Sequence, residues 1–550
     1  GQSTILFRAP YNADADPTDH EEIWPMIIAS RRNYLFVGES IDPNDWQQGV
    51  TADQIYKRVL DGVHQEYGHI ILLHDAGGDT REPTVTALPR IIETLQREGY
   101  QFISLEKYLG MSRQTLMPPI KKGKEYYAMQ ANLSLAELIY HISDFLTALF
   151  LVFLVLGFMR LVFMYVLMIR EKRAENRRNY APIDPLTAPA VSIIVPAYNE
   201  EVNIVRTISN LKEQDYPSLK IYLVDDGSKD NTLQRVREVF ENDDKVVIIS
   251  KKNGGKASAL NYGIAACSTD YIVCVDADTQ LYKDAVSKLM KHFIADKTGK
   301  LGAVAGNVKV GNQRNMLTYW QAIEYTTSQN FDRMAYSNIN AITVIPGAIG
   351  AFRKDVLEAV GGFTTDTLAE DCDLTMSINE HGYLIENENY AVAMTEAPES
   401  LRQFIKQRIR WCFGVMQTFW KHRASLFAPS KGGFGMWAMP NMLIFQYIIP
   451  TFSPIADVLM LFGLFSGNAS QIFIYYLIFL LVDASVSIMA YIFEHESLWV
   501  LLWIIPQRFF YRWIMYYVLF KSYLKAIKGE LQTWGVLKRT GHVKGAQTIS

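Results

Sequence analysis

Three acidic clusters and one basic–aromatic cluster follow one another through the middle of this chain. They are Asp225-Asp226-Gly227, Asp276-Ala277-Asp278, Glu370-Asp371 and Gln407-Arg408-Ile409-Arg410-Trp411. Carboxylates one residue apart, as at Asp276 and Asp278, are hard oxygen ligands that can hold Mg²⁺ or Mn²⁺. A single placed carboxylate, as at Asp371, can take the proton of a hydroxyl, which is a poor nucleophile until it loses it. Any one of these short motifs arises by chance in a chain this long, so their meaning rests on what positions them.

Four short apolar runs do so: Val191–Val195, Ile221–Val224, Val246–Ile249 and Tyr271–Val275. Each suits a parallel strand buried on both faces, and segments between them read as helices. Asp225 and Asp226 close the second run, and Asp276 and Asp278 follow the fourth. Ligands of open α/β sheets gather at the carboxyl ends of strands. The clusters therefore belong to one site on an α/β domain.

Residues 186–430, with these motifs in this order, resemble the GT-A (Rossmann-like) domain of a family-2, inverting, processive glycosyltransferase. Synthases of hyaluronan, chitin, cellulose and poly-N-acetylglucosamine are its relatives. The resemblance implies a role for each matching residue. Tyr198, in Pro196-Ala197-Tyr198-Asn199-Glu200, would stack on uracil, with Glu200 beside it at the donor site. Asp226 would accept the uracil N–H, Lys256 of Asn253-Gly254-Gly255-Lys256 would contact the donor nucleotide, and Asp276 would complete donor binding. Asp278 would ligate the Mg or Mn that offsets charge on the departing diphosphate. Asp371 would be the catalytic base. Gln407, Arg410 and Trp411 would hold the acceptor and diphosphate, the indole serving as a sugar platform. Gly347, in the turn Gly347–Arg353, would shape the acceptor cavity. Non-processive dolichol-phosphate-sugar synthases share the earlier motifs and lack the Gln-x-x-Arg-Trp cluster, so its presence implies chain extension. Trp534-Gly535 and Lys538-Arg539-Thr540-Gly541 resemble a tail motif of bacterial relatives, a gate.

Hydrophobic residues make up 49% of the 550, and they bunch at 138–169 and 434–524. Phe145–Ile169 carries one charge, Arg160, over 25 residues, enough to cross a hydrocarbon core of about 30 Å. Five positive charges follow within Arg170–Arg178, which places that side in the cytoplasm. The expectation is a multi-pass protein of the cell membrane, in contact with lipid. Residues 1–115 would lie outside, a helix at 138–169 would cross, and the glycosyltransferase domain and a tail at 527–550 would lie inside. Transmembrane or interfacial helices would fill 434–526. There 440–466 and 471–493 read as crossings, and 498–524, interrupted by Pro506, Arg508 and Arg512, as a re-entrant or interfacial segment. The four cysteines lack zinc spacing and fit a reducing compartment. A net charge of −3 argues against a nucleic-acid partner.

Residues 1–115 resemble the C-terminal half of a polysaccharide deacetylase, a partial (β/α) barrel. The matching pieces are Arg8-Ala9-Pro10-Tyr11, Asp42-Pro43-Asn44-Asp45-Trp46 and Leu72-Leu73-His74-Asp75. The resemblance implies that Arg8 orients the base, Asp45 and Trp46 belong to the pocket motif, and His74 is the general acid. His74 would follow a strand, His69–Leu73. The family's paired Asp and two-His motifs are absent, so the deacetylase metal site is missing from this chain and the half is expected to be inactive. Gly1 opens a polar run with no initiating Met, read as a fragment or processed form. Deacetylases of this type act on N-acetylated sugars. The two resemblances together imply a UDP-sugar donor, UDP-N-acetylglucosamine, and a growing β-linked polysaccharide acceptor. A hyaluronan-type two-donor synthase or a lipid-linked sugar transferase is the alternative.

Overall fold

A computed structural model describes residues 3–9, 20–75, 80–464, 469–528 and 541. The chain divides into two compact units, Gly1–Leu149 and Phe150–Ser550.

In the first unit, β1 (Leu6–Phe7) pairs in parallel with β2 (Leu35–Phe36). Helices Ala52–His64 and Glu82–Arg97 bury Ile55, Val59, Ala87, Ile91 and Leu95 between them. Thr51 and Gln54 form a reciprocal capping box that fixes where the first of these starts. The expected strand His69–Leu73 is reduced to one parallel bridge, Ile71 to Ile41. Beyond Ile41 the chain turns through Pro43 and Asn44, which has a φ of 56°, so the ladder stops there. Parallel β–α alternation is present, and no closed barrel is formed by the described residues.

The second unit is built on an eight-stranded mixed sheet. Its strands are β3 (Val191–Ala197), β4 (Leu219–Asp225), β5 (Val246–Ser250), β6 (Tyr271–Cys274), β7 (Gln280–Leu281), β8 (Leu301–Val310), β9 (Gly350–Arg353) and β10 (Leu384–Thr395), in the order β5-β4-β3-β6-β9-β8-β10-β7. The four runs expected as parallel strands are β3 to β6, and they pair in parallel. Their side chains alternate between two cores: Ile193, Val195, Ile221 and Leu223 enter one, Ile194, Tyr222 and Val224 the other. Burial on both faces is why these strands read as unbroken apolar runs. β9 then runs antiparallel between β6 and β8, and β10 parallel to β8.

The apolar segments are helical. One helix runs from Lys124 to Arg177, longer at both ends than 138–169, because its flanks hold no helix-breaking proline or glycine pair. Two helical stretches, Tyr126–Arg177 and Phe434–Phe462, are long and apolar enough to cross a membrane. Further helices span Ala469–Phe493 and Ile504–Lys528. Met164, Met168, Phe434, Met439 and Met442 share one core with Ile194 and Val224. The mixed sheet and these apolar helices therefore share one core.

Candidate active site

Parallel register brings the strand tips together. Ala197 at the end of β3 lies opposite Asp225 at the end of β4, and Cys274 of β6 opposite Ile194. Tyr198 leaves β3 through Asn199, held at a φ of 56° by bonds to Ser228 and Lys229. A cavity of about 380 Å³ opens at this edge. Tyr198, Glu200, Lys256, Asp276, Asp278, Gly347, Asp371, Gln407, Arg410 and Trp411 all line it. Residues from positions 198 to 411 thus converge on one space.

Asp226 is placed differently. Its carboxylate accepts from Lys251 Nζ (2.6 Å), Gly254 N (2.9 Å) and Gly255 N (2.7 Å), and it does not line the cavity. It fastens the loop that leads into Lys256. Gly227 has a φ of 69°, and a Cβ there would meet Asn253 N at 2.9 Å, so the turn after Asp226 requires glycine.

Lys256 is largely enclosed and bridges two carboxylates. Its Nζ lies 2.7 Å from Asp276 and 3.3 Å from Glu370. Those anions hold the ammonium above its usual range against the pull of burial. A Cβ on Gly347 would sit 2.5 Å from that Nζ, so a larger residue there would push the ammonium out of its present position. Asp371 opens the helix Glu370–Glu380, with Cys372 N donating to it at 2.8 Å. Burial, with Glu370 adding like charge, pushes its carboxyl up to about 6.

The helix Leu401–Lys421 supplies the last cluster and splits it by face. Gln407, Arg410 and Trp411 face the cavity, and Gln407 Oε1 has no hydrogen-bond partner. Arg408 points away, bonds Glu324 at 2.7 Å and stacks 4.4 Å over the Trp411 ring, so it fixes the indole from behind. The same helix carries features that motif reading passed over. A Cβ on Gly414 would lie 2.9 Å from backbone atoms of Leu368 and Ala369, immediately before Asp371. His422 bridges Asp373 and Glu380, each at 2.9 Å. Only a small residue next to the motif, and a histidine 49 positions from its aspartate, signal these contacts in the sequence.

Residues 192–361 match the family model described as Glycosyl transferase family 2. Over that span the chain is similar to family-2 glycosyltransferases. Its mixed sheet, with acidic residues at the tips of parallel strands, is the GT-A arrangement. A poly-β-1,6-N-acetyl-D-glucosamine synthase of Staphylococcus aureus (strain COL) is 34% identical over 44% of this chain and 57% of its own length. The synthase of the same description from Staphylococcus epidermidis is 33% identical over 46% of this chain and 62% of its own. The chain thus spans about three-fifths of these curated relatives. A solved mannosyltransferase, PcManGT from Pyrobaculum calidifontis in complex with GDP-Man and Mn²⁺, superposes with a TM-score of 0.47 and 23% identity, over 67% of this chain and 96% of that one.

The first unit brings Asp45 and His74 together. Asp45 is fully buried; His74 Nδ1 lies 2.7 Å from it and Thr84 donates at 2.9 Å. These bonds hold its carboxyl below the usual range despite burial. Asp42, Asp45 and His74 have ligand atoms within 4.8 Å of one another, but the imidazole nitrogen nearest Asp45 is taken up by their hydrogen bond. Arg8 pairs with Glu39 at 2.5 Å, and Trp46 is exposed. Pro10, Tyr11, Trp534, Gly535 and Lys538 to Thr540 lie outside the described residues.

Proposed function

We propose that the chain is a membrane-embedded, inverting, processive glycosyltransferase that polymerises a UDP-sugar, UDP-N-acetylglucosamine, into a β-linked exported polysaccharide. The observation that carries this reading is the meeting of Asp276, Asp278, Asp371 and the Gln407–Trp411 cluster in one cavity. The synthases it resembles supply the choice of sugar.

Tyr198 stacks on the base of the donor, Glu200 and Asp276 orient it, and Asp226 sets the loop that delivers Lys256 to the diphosphate. Trp411, braced by Arg408, carries the apolar face of the acceptor sugar, and the open Gln407 Oε1 accepts from one of its hydroxyls. Asp371 takes the proton of the attacking hydroxyl. The acceptor hydroxyl's oxygen bonds to the anomeric carbon as the bond to the diphosphate breaks, so one displacement turns an α-linked donor into a β-linkage. Arg410 meets the charge left on the diphosphate.

A divalent ion fits this cavity. Asp276, Asp278, Glu370 and Asp371 line it with Lys256 as the cation in direct contact with two of them. Asp278 and Asp276 would hold the ion, which would offset negative charge on the departing UDP. The helices Tyr126–Arg177 and Phe434–Phe462 would cross the cell membrane with the catalytic domain in the cytoplasm. The Asp45–His74 pair would be the remnant of an extracytoplasmic deacetylase half.

Incubating the purified chain with labelled UDP-N-acetylglucosamine alone tests the reading. High-polymer product is expected. A requirement for a second UDP-sugar would indicate a two-donor synthase, and a single sugar on lipid would indicate a lipid-linked transferase.

A further inference from the structure

One cation of the cavity wall is not used by the chemistry above. Arg333, on the helix Phe331–Ser337, is 6% exposed and lines the cavity. One of its terminal nitrogens donates to Asn330 Oδ1, and its Nε has no partner. Among the described residues no carboxylate forms an ion pair with it. The two whose charge reaches it are Glu494 and Asp371. Glu494 is committed elsewhere, to Lys309 at 3.5 Å and to Asn307. Asp371 is the base. Burial outweighs the pull of these two carboxylates and brings the guanidinium down to about 10. A buried, uncompensated cation is strongly destabilising. A fold that keeps one in a cavity wall gains something only when a partner arrives.

Its surroundings say which partner. Asp332, the preceding residue, pairs at 2.8 Å with Arg160 of the apolar helix, and Arg160 also donates to Asn441 at 2.8 Å. Tyr336, Met442 and Gln446 line the cavity as well. Ser328 and Gln329 there belong to a π-helical turn, Tyr325–Asn330, a distortion frequent at functional sites. This wall is made by helices joined to the apolar segments. The donor wall is made by strand tips together with Lys256, at the start of the helix Lys256–Ala266, and Arg410, on the helix Leu401–Lys421, which already serve phosphate.

We propose that Arg333 anchors the acceptor: its guanidinium donates to the amide carbonyl oxygen of an N-acetylated sugar at the end of the growing chain. This rests on the polymerase reading of the same cavity. An N-acetyl carbonyl is the strongest neutral acceptor such a chain offers, and in a water-poor wall a charged donor gains most from it.

The test uses the full chain in detergent and the variants Arg333→Met and Arg333→Lys. The ligands are UDP, a β-linked N-acetylglucosamine oligosaccharide and its de-N-acetylated counterpart. Wild type should bind the acetylated oligosaccharide more tightly than the deacetylated one. Arg333→Met should lose about 10- to 100-fold of that affinity, the scale of a charged hydrogen bond, and should bind the two oligosaccharides alike. Arg333→Lys should fall between. UDP affinity should stay within about twofold, and thermal stability should hold or rise, because the variant removes an unpaired buried charge. An unchanged preference for the acetylated oligosaccharide would overturn the assignment. So would a loss of UDP affinity, which would place Arg333 on the donor diphosphate. A fall in melting temperature with loss of both ligands would make Arg333 a structural residue. If wild type binds UDP but neither oligosaccharide, the polymerase reading itself fails.

Discussion

Asp371 and Asp373 stand two residues apart at the start of one helix, and their surroundings drive them in opposite directions. Asp371 has Glu370 beside it, one backbone donor and the cavity in front, and its carboxyl rises to about 6. Asp373 is fully buried, accepts from His422 and Lys421, each at 2.9 Å, and from Thr364, and falls to about 2. Burial acts on both; donors decide the outcome. The carboxylate left short of partners is suited to take a proton, and the saturated one is suited to hold the helix still. Asp226 is also saturated with donors, from Lys251 and two backbone amides, and holds its loop in place.

The contrast can be broken by substitution. Asp371→Asn should lower polymer formation by roughly 10²- to 10⁴-fold, the usual range for a general base, with UDP affinity retained; it should also melt no lower than wild type at pH 8. An assay of polymer per enzyme together with UDP titration checks this, and a mild loss of rate would remove Asp371 from the base role. Gly414→Ala inserts a methyl 2.9 Å from the backbone at Leu368 and Ala369. It should cost about 10- to 100-fold in kcat through misplacement of Asp371, with little change in UDP affinity.

Asp373→Asn should show up as stability before rate. Its melting temperature should drop by several degrees, while kcat falls much less than in Asp371→Asn. The pH dependence has a definite sign. His422 is raised to about 9 by its two carboxylates, so its contribution is full below its ordinary value of about 6.5 and is lost as pH rises through 9. Asp373 is depressed, so its contribution is present above its ordinary value near 4 and is lost as pH falls towards 2. Melting curves of wild type should therefore peak between these limits and flatten in Asp373→Asn. The smallest effect expected is that of Lys251→Met, which removes one partly shielded bond to Asp226. A two- to fivefold rise in donor KM with unchanged kcat is the outcome.

The strand tips were legible from the residues because β3 to β6 read as apolar runs and two of them, β4 and β6, lead into acidic residues. The Gln407–Trp411 cluster was legible as a motif, but not the division of labour within it. Arg408 and Arg410 are two positions apart and point to opposite sides of a helix, which a linear pattern does not display. The Asp373–His422 bond, the Gly414 contact and the uncommitted Arg333 arise only when distant segments pack. β8 and β9 were not anticipated, since Gly302, Gly306 and Gly350 interrupt their apolar runs where neighbouring side chains and backbone approach closely, nor was β10, whose run is broken by Glu386 to Asn389. In the first unit the same limit hid the turn at Asn44 that cuts the expected strand down to a bridge.

The pH dependence of kcat, measured for wild type and Asp373→Asn side by side, tests the central claim most directly. Asp371 must be ionised to take the proton, so kcat should fall about tenfold per pH unit below about 6. Asp373→Asn should keep that inflection at a lower stability. An inflection that disappears in Asp373→Asn, or a wild-type kcat that stays level down to pH 4, would contradict the assignment of Asp371 as the base.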